Sequence, residues 1–292
     1  LNNAPFEVIA NDTALTGESP QYAPAENALY WLDGRRQAVY RIDLASGKRQ
    51  TYETPSKVNA IVQRGSGGLI AAMKDGVYAL DMTSGASSLL LVTEPGRDEQ
   101  RANDGKVDQR GRFWYGTMED DAKAPSGNLY RIEADHAFTL IEGGWTVPNG
   151  PAWSPDARRF YCADSGTRTI FVYDFDLDSG SLSNKRPFVQ LDPKDGVPDG
   201  ATCDVEGYLW SAHPGSFCVV RYAPDGSEAA RIRLPVKRPT SVTFGGPDLR
   251  TLYITTASRG LSEAELAEQP LAGAVLSVRV DVPGLVEPVY AG

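Results

Sequence analysis

Residues 29–52 open with Leu29-Tyr30-Trp31, continue after a short gap with Val39-Tyr40-Arg41-Ile42, turn at Ala45-Ser46-Gly47 and resume with Lys48-Arg49-Gln50-Thr51-Tyr52. Two runs of apolar and aromatic residues suit paired strands, and the Ser-Gly chemistry closes a hairpin into a third. The arrangement returns along the whole chain. Its first strands are Leu29-Tyr30-Trp31, Leu69-Ile70-Ala71, Phe113-Trp114-Tyr115, Phe160-Tyr161-Cys162, Leu209-Trp210-Ser211 and Leu252-Tyr253-Ile254, with intervals of 40, 44, 47, 49 and 43 residues between their first members. Each is followed by a second strand: Val39–Ile42, Val77–Leu80, Leu129–Ile132, Ile170–Tyr173, Val219–Tyr222 and Val275–Val278. Turns such as Thr83-Ser84-Gly85, Asp178-Ser179-Gly180 and Pro224-Asp225-Gly226 lead on to third strands, Ala229–Arg233 among them.

A period of about 45 residues with four strands per unit is that of a propeller blade. Six units predict an all-β fold: one six-bladed β-propeller domain over residues 1–292, with four-stranded blades. A lone blade leaves both faces of its sheet uncovered, so blades pack around an axis and the ring must close. Phe6-Glu7-Val8-Ile9-Ala10 is a spare strand, expected to complete the blade that holds the C-terminal segment. Two stacked β-sandwiches would leave six regular units unexplained. Ser262-Glu263-Ala264-Glu265 reads as a capping box with Pro270 beyond it, which predicts one short helix in an insertion of the last blade.

Composition narrows the functions. Of 292 residues 41% are apolar, enough for a core, and the 29 Gly and 20 Pro are spread as turn residues should be. The net charge is −9 and no basic run exists, which argues against a nucleic-acid partner. Three cysteines, Cys162, Cys203 and Cys218, show no zinc-type spacing. They read as buried apolar residues in a reducing compartment. Leu1–Asp12 lacks the basic and apolar regions of a signal peptide, and Leu89-Leu90-Leu91-Val92 is too short an aliphatic run to span a bilayer. The expectation is a soluble, cytoplasmic protein without a membrane partner, and a monomer, since nothing demands an oligomer. The only two histidines are His136, in a turn, and His213, at a strand end. A Ser-His-Asp triad, a Cys-His dyad or a poly-His zinc site needs histidine in a converging site. Hydrolytic chemistry here would run on carboxylates and an oxygen-ligated metal.

Ten or eleven residues before each first strand stand Glu18, Asn59, Asn103, Asn149, Asp199 and Ser241. All are polar. Equivalent positions of six blades lie in one ring about one axis, so the repeat predicts a convergent cluster of two carboxylates, three amides and a hydroxyl. Asn-Gly and Asp-Gly are also common turn dipeptides, and any one of these positions alone would read as a turn. Carboxylates crowded at a low-dielectric axis repel unless a cation offsets them. Oxygen ligands of this kind suit Ca²⁺, Mg²⁺ or Mn²⁺.

At these residues the chain resembles the regucalcin/gluconolactonase family, which includes luciferin-regenerating enzymes and is also called senescence marker protein. The resemblance covers nearly the whole chain. It rests on Gly17-Glu18-Ser19-Pro20, Arg101-Ala102-Asn103-Asp104-Gly105-Lys106-Val107-Asp108, Gly111-Arg112, Gly116-Thr117-Met118, Asn149-Gly150, Pro198-Asp199-Gly200, Glu206–Trp210, Phe244-Gly245-Gly246 and Gln269–Gly273. It implies a propeller with a central metal site in which Glu18, Asn149 and Asp199 ligate one divalent metal ion directly: Ca²⁺ first, with Mn²⁺, Mg²⁺, Fe²⁺ or Zn²⁺ as alternatives. It implies a metal-dependent lactonase acting on a small-molecule sugar lactone, with Arg101 and Asn103 beside the substrate. Asp199 is the expected general base. Family members often carry Glu on a loop after the Gly-Thr-Met string. The matching residue here is Asp121, expected to bind substrate with a shorter reach. Asp104 and Asp108 read as turn and strand-end residues, and Trp31, Trp114 and Trp210 as core. Two rival readings stand: a phosphotriesterase-like hydrolase on the same metal, and a calcium-binding or protein-interaction propeller without catalysis. The Trp-Asp dipeptide of interaction repeats is absent.

Overall fold

Strand-forming segments pair with their sequence neighbours throughout this computed structural model, which describes residues 5–292. After β1 (Phe6–Asn11), blade 1 comprises β2 (Gly17–Ala23), β3 (Ala28–Asp33), β4 (Ala38–Asp43) and β5 (Arg49–Glu53). Blade 2 holds β6 (Val58–Gln63), β7 (Leu69–Met73), β8 (Gly76–Leu80) and β9 (Ser87–Leu91). Blade 3 holds β10 (Gln100–Val107), β11 (Phe113–Glu119), β12 (Gly127–Ile132) and β13 (Phe138–Trp145). Blade 4 holds β14 (Pro148–Trp153), β15 (Arg159–Asp164), β16 (Thr169–Asp176) and β17 (Ser181–Gln190). Blade 5 holds β18 (Ala201–Cys203), β19 (Leu209–His213), β20 (Cys218–Tyr222) and β21 (Glu228–Arg233). Blade 6 holds β22 (Pro239–Gly245), β23 (Thr251–Thr256) and, after the helix α1 (Glu263–Glu268), β24 (Ala274–Arg279).

The sheets are six, each of four strands, and the last has the order β1-β24-β23-β22. β1 supplies its outermost strand, antiparallel to β24 with Phe6 opposite Val278 and Asn11 opposite Ala274. N- and C-terminal segments thus share one sheet, and the expected ring closure is present. The expected helix is α1, with Ser262 and Glu265 forming a reciprocal capping box.

Burial falls from the axis outward. Every residue of β3 and β7 is buried, whereas the outer strand β5 is almost wholly exposed. The core is accordingly a ring of six clusters, one at each blade interface. Trp114, Leu129, Trp153 and Phe160 join blades 3 and 4. Trp210, Val242 and Phe244 join blades 5 and 6, and Tyr22, Trp31, Tyr253 and Val275 join blades 6 and 1. Burial of each such large side chain is worth roughly 1.5–3 kcal/mol, and none could be buried by one blade alone. Trp31, Trp114 and Trp210 are core residues, fully enclosed.

Because neighbouring strands are antiparallel, the loop into each inner strand and the loop out of the second strand lie at one end of the channel. Inner-to-second-strand loops lie at the other. The C-terminal segment crosses that second end. Val205 N donates to Pro283 O, Tyr290 N to Gln63 O and Ala291 N to Gly111 O, tying together the loops of blades 5, 2 and 3. No helix among the described residues is long and apolar enough to cross a membrane.

Candidate active site

Five of the six polar ring positions sit at irregularities of the inner strands. The pairing register shifts between Glu18 and Gln21, Val58 and Ala60, Ala102 and Gly105, Asn149 and Ala152, and Pro239 and Ser241. A bulge adds a residue to one strand and re-aims its side chain. In blade 5 the regular ladder begins at Ala201, just past Asp199, whose N–H donates to Ala212 O. A cavity of about 250 Å³ opens there at the loop end of the channel, and Glu18, Asn59, Asn103, Asp104, Asn149 and Asp199 line it. Ser241 is buried against Gly200 and is not part of that lining.

The amides are oriented by partners that can act in one sense only. Ser165 Oγ donates to Pro198 O at 2.5 Å, so it must accept from Asn149 Nδ2 at 2.8 Å. Asn149 Oδ1 is then the atom on the other side, where Asn103 Nδ2 donates to it at 2.6 Å. Asn103 Nδ2 also donates to Pro148 O at 2.8 Å, and Asn103 Oδ1 accepts from Arg101 Nη1 at 2.8 Å. Arg101 Nη1 further donates to Ala102 O at 2.9 Å, while Nε lies 3.2 Å from Asp120 Oδ1 in an ion pair without hydrogen-bond alignment.

Burial pushes the Glu18 carboxyl well above the usual carboxylate range, and the charges of Asp199 and Asp104 push it further. Burial does the same to Asp199, with Asp104 next in weight and Arg238 opposing. Asp104 is itself raised by burial, although its oxygens accept from Gly150 N and Gly105 N, each at 2.8 Å. Arg101 is pushed down to about 10 by burial. Two of these carboxyls, Glu18 and Asp199, with the oriented amide oxygen of Asn149, offer oxygen donors only, while the oxygens of Asp104 are taken by backbone N–H groups. Among the described residues no group of three or more His, Cys, Asp and Glu gathers to hold a metal. Glu18, Asn149 and Asp199 are two carboxylates and an amide, and their chemistry fits a hard divalent cation whose charge would relieve the crowding.

Asp121 stands apart from this group. It is exposed, pairs with Lys123 and does not line the cavity. Its neighbour Asp120 faces inward, 2.7 Å from Lys57 Nζ, 3.2 Å from Arg101 Nε and 3.7 Å from Arg35 Nη2. Asp120 was not singled out in the sequence, yet strand parity carries it. Met118 lines the cavity, and a residue two further on shares its face. Arg238 and Arg259, also in the lining, belong to no recognisable pattern. Asp108 is structural: its carboxylate accepts from Arg112 Nε at 2.7 Å and Trp114 Nε1 at 2.8 Å. His213 is fully buried and His136 bonds Tyr290 at the far end of the channel, so neither joins the cavity lining.

Fold and site together describe a six-bladed propeller with an axial, oxygen-rich cavity built from the inner strands of blades 1 to 4 and the segments that lead into those of blades 5 and 6. The chain belongs to the SMP-30/Gluconolactonase/LRE-like region family, which matches residues 16–258, and at the level of that family it is a lactonase-type hydrolase. It is 37% identical to a 6-deoxy-6-sulfogluconolactonase from Pseudomonas putida over 99% of this chain and 100% of that one. It is 35% identical to a pentonolactonase from Haloferax volcanii over 85% of this chain and 84% of that one. A crystal structure of regucalcin from Agrobacterium tumefaciens, described as a calcium-binding protein, superposes with a TM-score of 0.96 at 27% identity, covering 100% of this chain and 99% of that one.

Proposed function

We propose that this chain is a metal-dependent sugar lactonase that opens an aldonolactone to its aldonic acid, with Glu18, Asn149 and Asp199 holding one divalent cation, Ca²⁺ by preference. The observation that carries the reading is the convergence of these three residues on one cavity at the open end of the channel. When bound, the cation would supply Lewis-acid polarisation of the lactone carbonyl or of the attacking water. The remaining work falls to the protein's own groups. Asp199 takes a proton from water as it attacks the carbonyl carbon, and gives that proton to the ring oxygen as the ring C–O bond breaks, leaving the open hydroxy acid. Arg101 holds a substrate oxygen: its Nη1 donates to Asn103 and Ala102, which orients the guanidinium, its charge is balanced by Asp120 beside Nε, and Nη2 has no hydrogen-bond partner among the described residues. Asn103 steadies both Arg101 and Asn149. The geometry favours Asp120, acting through Arg101, in the role that the resemblance gave to Asp121.

The test is a pH-stat assay on glucono-, galactono-, xylono- and arabinonolactone, with divalent metals added back to chelated protein. Asp199→Ala is expected to lower kcat by roughly 10²–10⁴-fold, the usual worth of a positioned base. Wild-type rates in that variant would remove Asp199 from the chemistry. Full activity after chelation would remove the metal.

A further inference from the structure

The chain carries a net charge of −9, yet the cavity mouth is rich in cations. Arg35, Lys57, Arg101, Arg238 and Arg259 all line it. They come from the second-strand loops of blades 1 and 6, from the segments leading into the inner strands of blades 2 and 6, and, for Arg101, from the inner strand of blade 3 itself, so five separate stretches of chain deliver positive charge to one opening. Four carboxylates face them: Glu18, Asp104 and Asp199 in the lining, and Asp120 beside it. Any metal cation would widen the excess.

The pairing is uneven. Asp120 alone serves Arg35, Lys57 and Arg101. Arg238 and Arg259 have no salt bridge among the described residues, and Arg238 Nε is buried without a hydrogen-bond partner. The Arg238 guanidinium lies close to Gly260: a Cβ there would come 3.7 Å from Nη1. Burial lowers the pKa of Arg259, and repulsion from Arg35 and Arg238 lowers it further. Arginines crowded together around a cavity, with one of them unsatisfied, form a site for a planar or tetrahedral anion that accepts several N–H groups at once.

We infer that the substrate is a sugar lactone bearing an anionic group remote from the ring carbonyl, held at the cavity mouth by Arg238 and Arg259 with Arg35. This rests on the lactonase reading above. Carboxylate, phosphate and sulfonate share the required chemistry. The carbonyl would lie toward Asp199 on the axis, and the anion outward among the arginines, so that binding at the mouth orients the ring.

The experiment compares kcat/KM for gluconolactone with that for its 6-phosphate, its 6-sulfonate and the 6-carboxylate (glucarolactone). At least one anionic lactone is expected to exceed the neutral one by tenfold or more, and which one does so identifies the group. Arg259→Gln is expected to cut that anionic-to-neutral ratio at least fivefold. Arg259 is exposed, and its hydrogen bond to Leu15 uses only the backbone, so the variant should fold. Calorimetric binding of glucose 6-phosphate against glucose gives a readout independent of turnover, and the phosphate is expected to bind at least tenfold tighter. Lactones hydrolysed without regard to charge, or an unchanged ratio in Arg259→Gln, would overturn the anion site and leave the lactonase. Preference for glucose 6-phosphate without hydrolysis of any lactone would overturn the lactonase and leave the anion site.

Discussion

Single atoms set the chemistry of this channel, and neighbours that can act in only one sense set the atoms. Pro198 O can only accept, so Ser165 Oγ spends its one proton there and turns Asn149 Nδ2 toward itself. Alanine in place of Ser165 would leave Pro198 O without its donor and Asn149 Nδ2 without its acceptor, so that Asn103 Nδ2 alone would hold the amide. His213 gives a second residue-scale expectation. It is buried, its Nδ1 has no partner, and its Nε2 lies 3.4 Å from Tyr222 Oη. Burial, followed by the charge of Arg231 and opposed by Asp195 and Glu228, pushes its pKa down to about 4. An unfolded histidine titrates near 6.5. Between these values the unfolded chain binds the proton and the folded one does not, so this stability is full above about pH 6.5 and is lost as pH falls through about 4. The loss is on the order of 3 kcal/mol. Urea unfolding of wild type and His213→Asn from pH 7.5 to 4 should show the wild-type curve falling more steeply by about that amount, whereas parallel curves would place the acid sensitivity elsewhere.

At the scale of strands, the polar ring exists because the inner strands are irregular at equivalent points. Gly150 shows the demand this makes. Its φ is +57°, a region costly for other residues, and a Cβ there would sit 2.6 Å from Asp199 O and 3.0 Å from Ala201 Cβ of the next blade. Its N–H meanwhile donates to Asp104 of the preceding blade. Gly150→Ala should therefore cost about 2–4 kcal/mol, combining left-handed strain with overpacking. Because the push falls on the backbone of Asp199, kcat should drop as well, and denaturant unfolding beside the lactone assay reads both. Much of this level was legible in the sequence. Six apolar first strands at regular intervals fix the blades, and six polar residues ten or eleven positions upstream fix the ring, because both follow from repetition. Asn149-Gly150 and Asp199-Gly200 look like hairpin turns in isolation, and only their register with four other positions points to the ring. What repetition cannot reach is unrepeated. The choice between Asp120 and Asp121 depends on where β11 ends, and Arg238 and Arg259 meet only because the segment entering β22 and the loop leaving β23 share one end of blade 6.

Closure of the whole molecule depends on two terminal segments that act differently. β1 completes a sheet by strand pairing along β24, while residues beyond β24 cross the end of the channel opposite the cavity. There Glu287 meets Lys106 Nζ at 2.5 Å and Thr202 Oγ1 at 2.9 Å, joining blades 3 and 5 beneath the axis. Tyr290 is 1% exposed, packs among the residues between blades 2 and 3, and donates to Glu133 O at 2.6 Å. One side chain thus plugs a blade interface and anchors the crossing segment. Removing a buried ring of this size typically costs about 3–5 kcal/mol. At roughly 2–4 °C per kcal/mol for chains of this order, Tyr290→Ala should lower Tm by about 10 °C. The candidate site stands at the other end of the inner strands, and Tyr290 meets only the far end of β6 through backbone bonds to Gln63 and Gly65 that alanine keeps, so kcat at 25 °C should stay within about twofold. Thermal unfolding followed by calorimetry, with lactone turnover measured well below the transition, separates the two effects. A large loss of turnover in a variant still folded at 25 °C would mean that the closed end holds the open end in shape, and that the blades do not stand independently of the segment that crosses them.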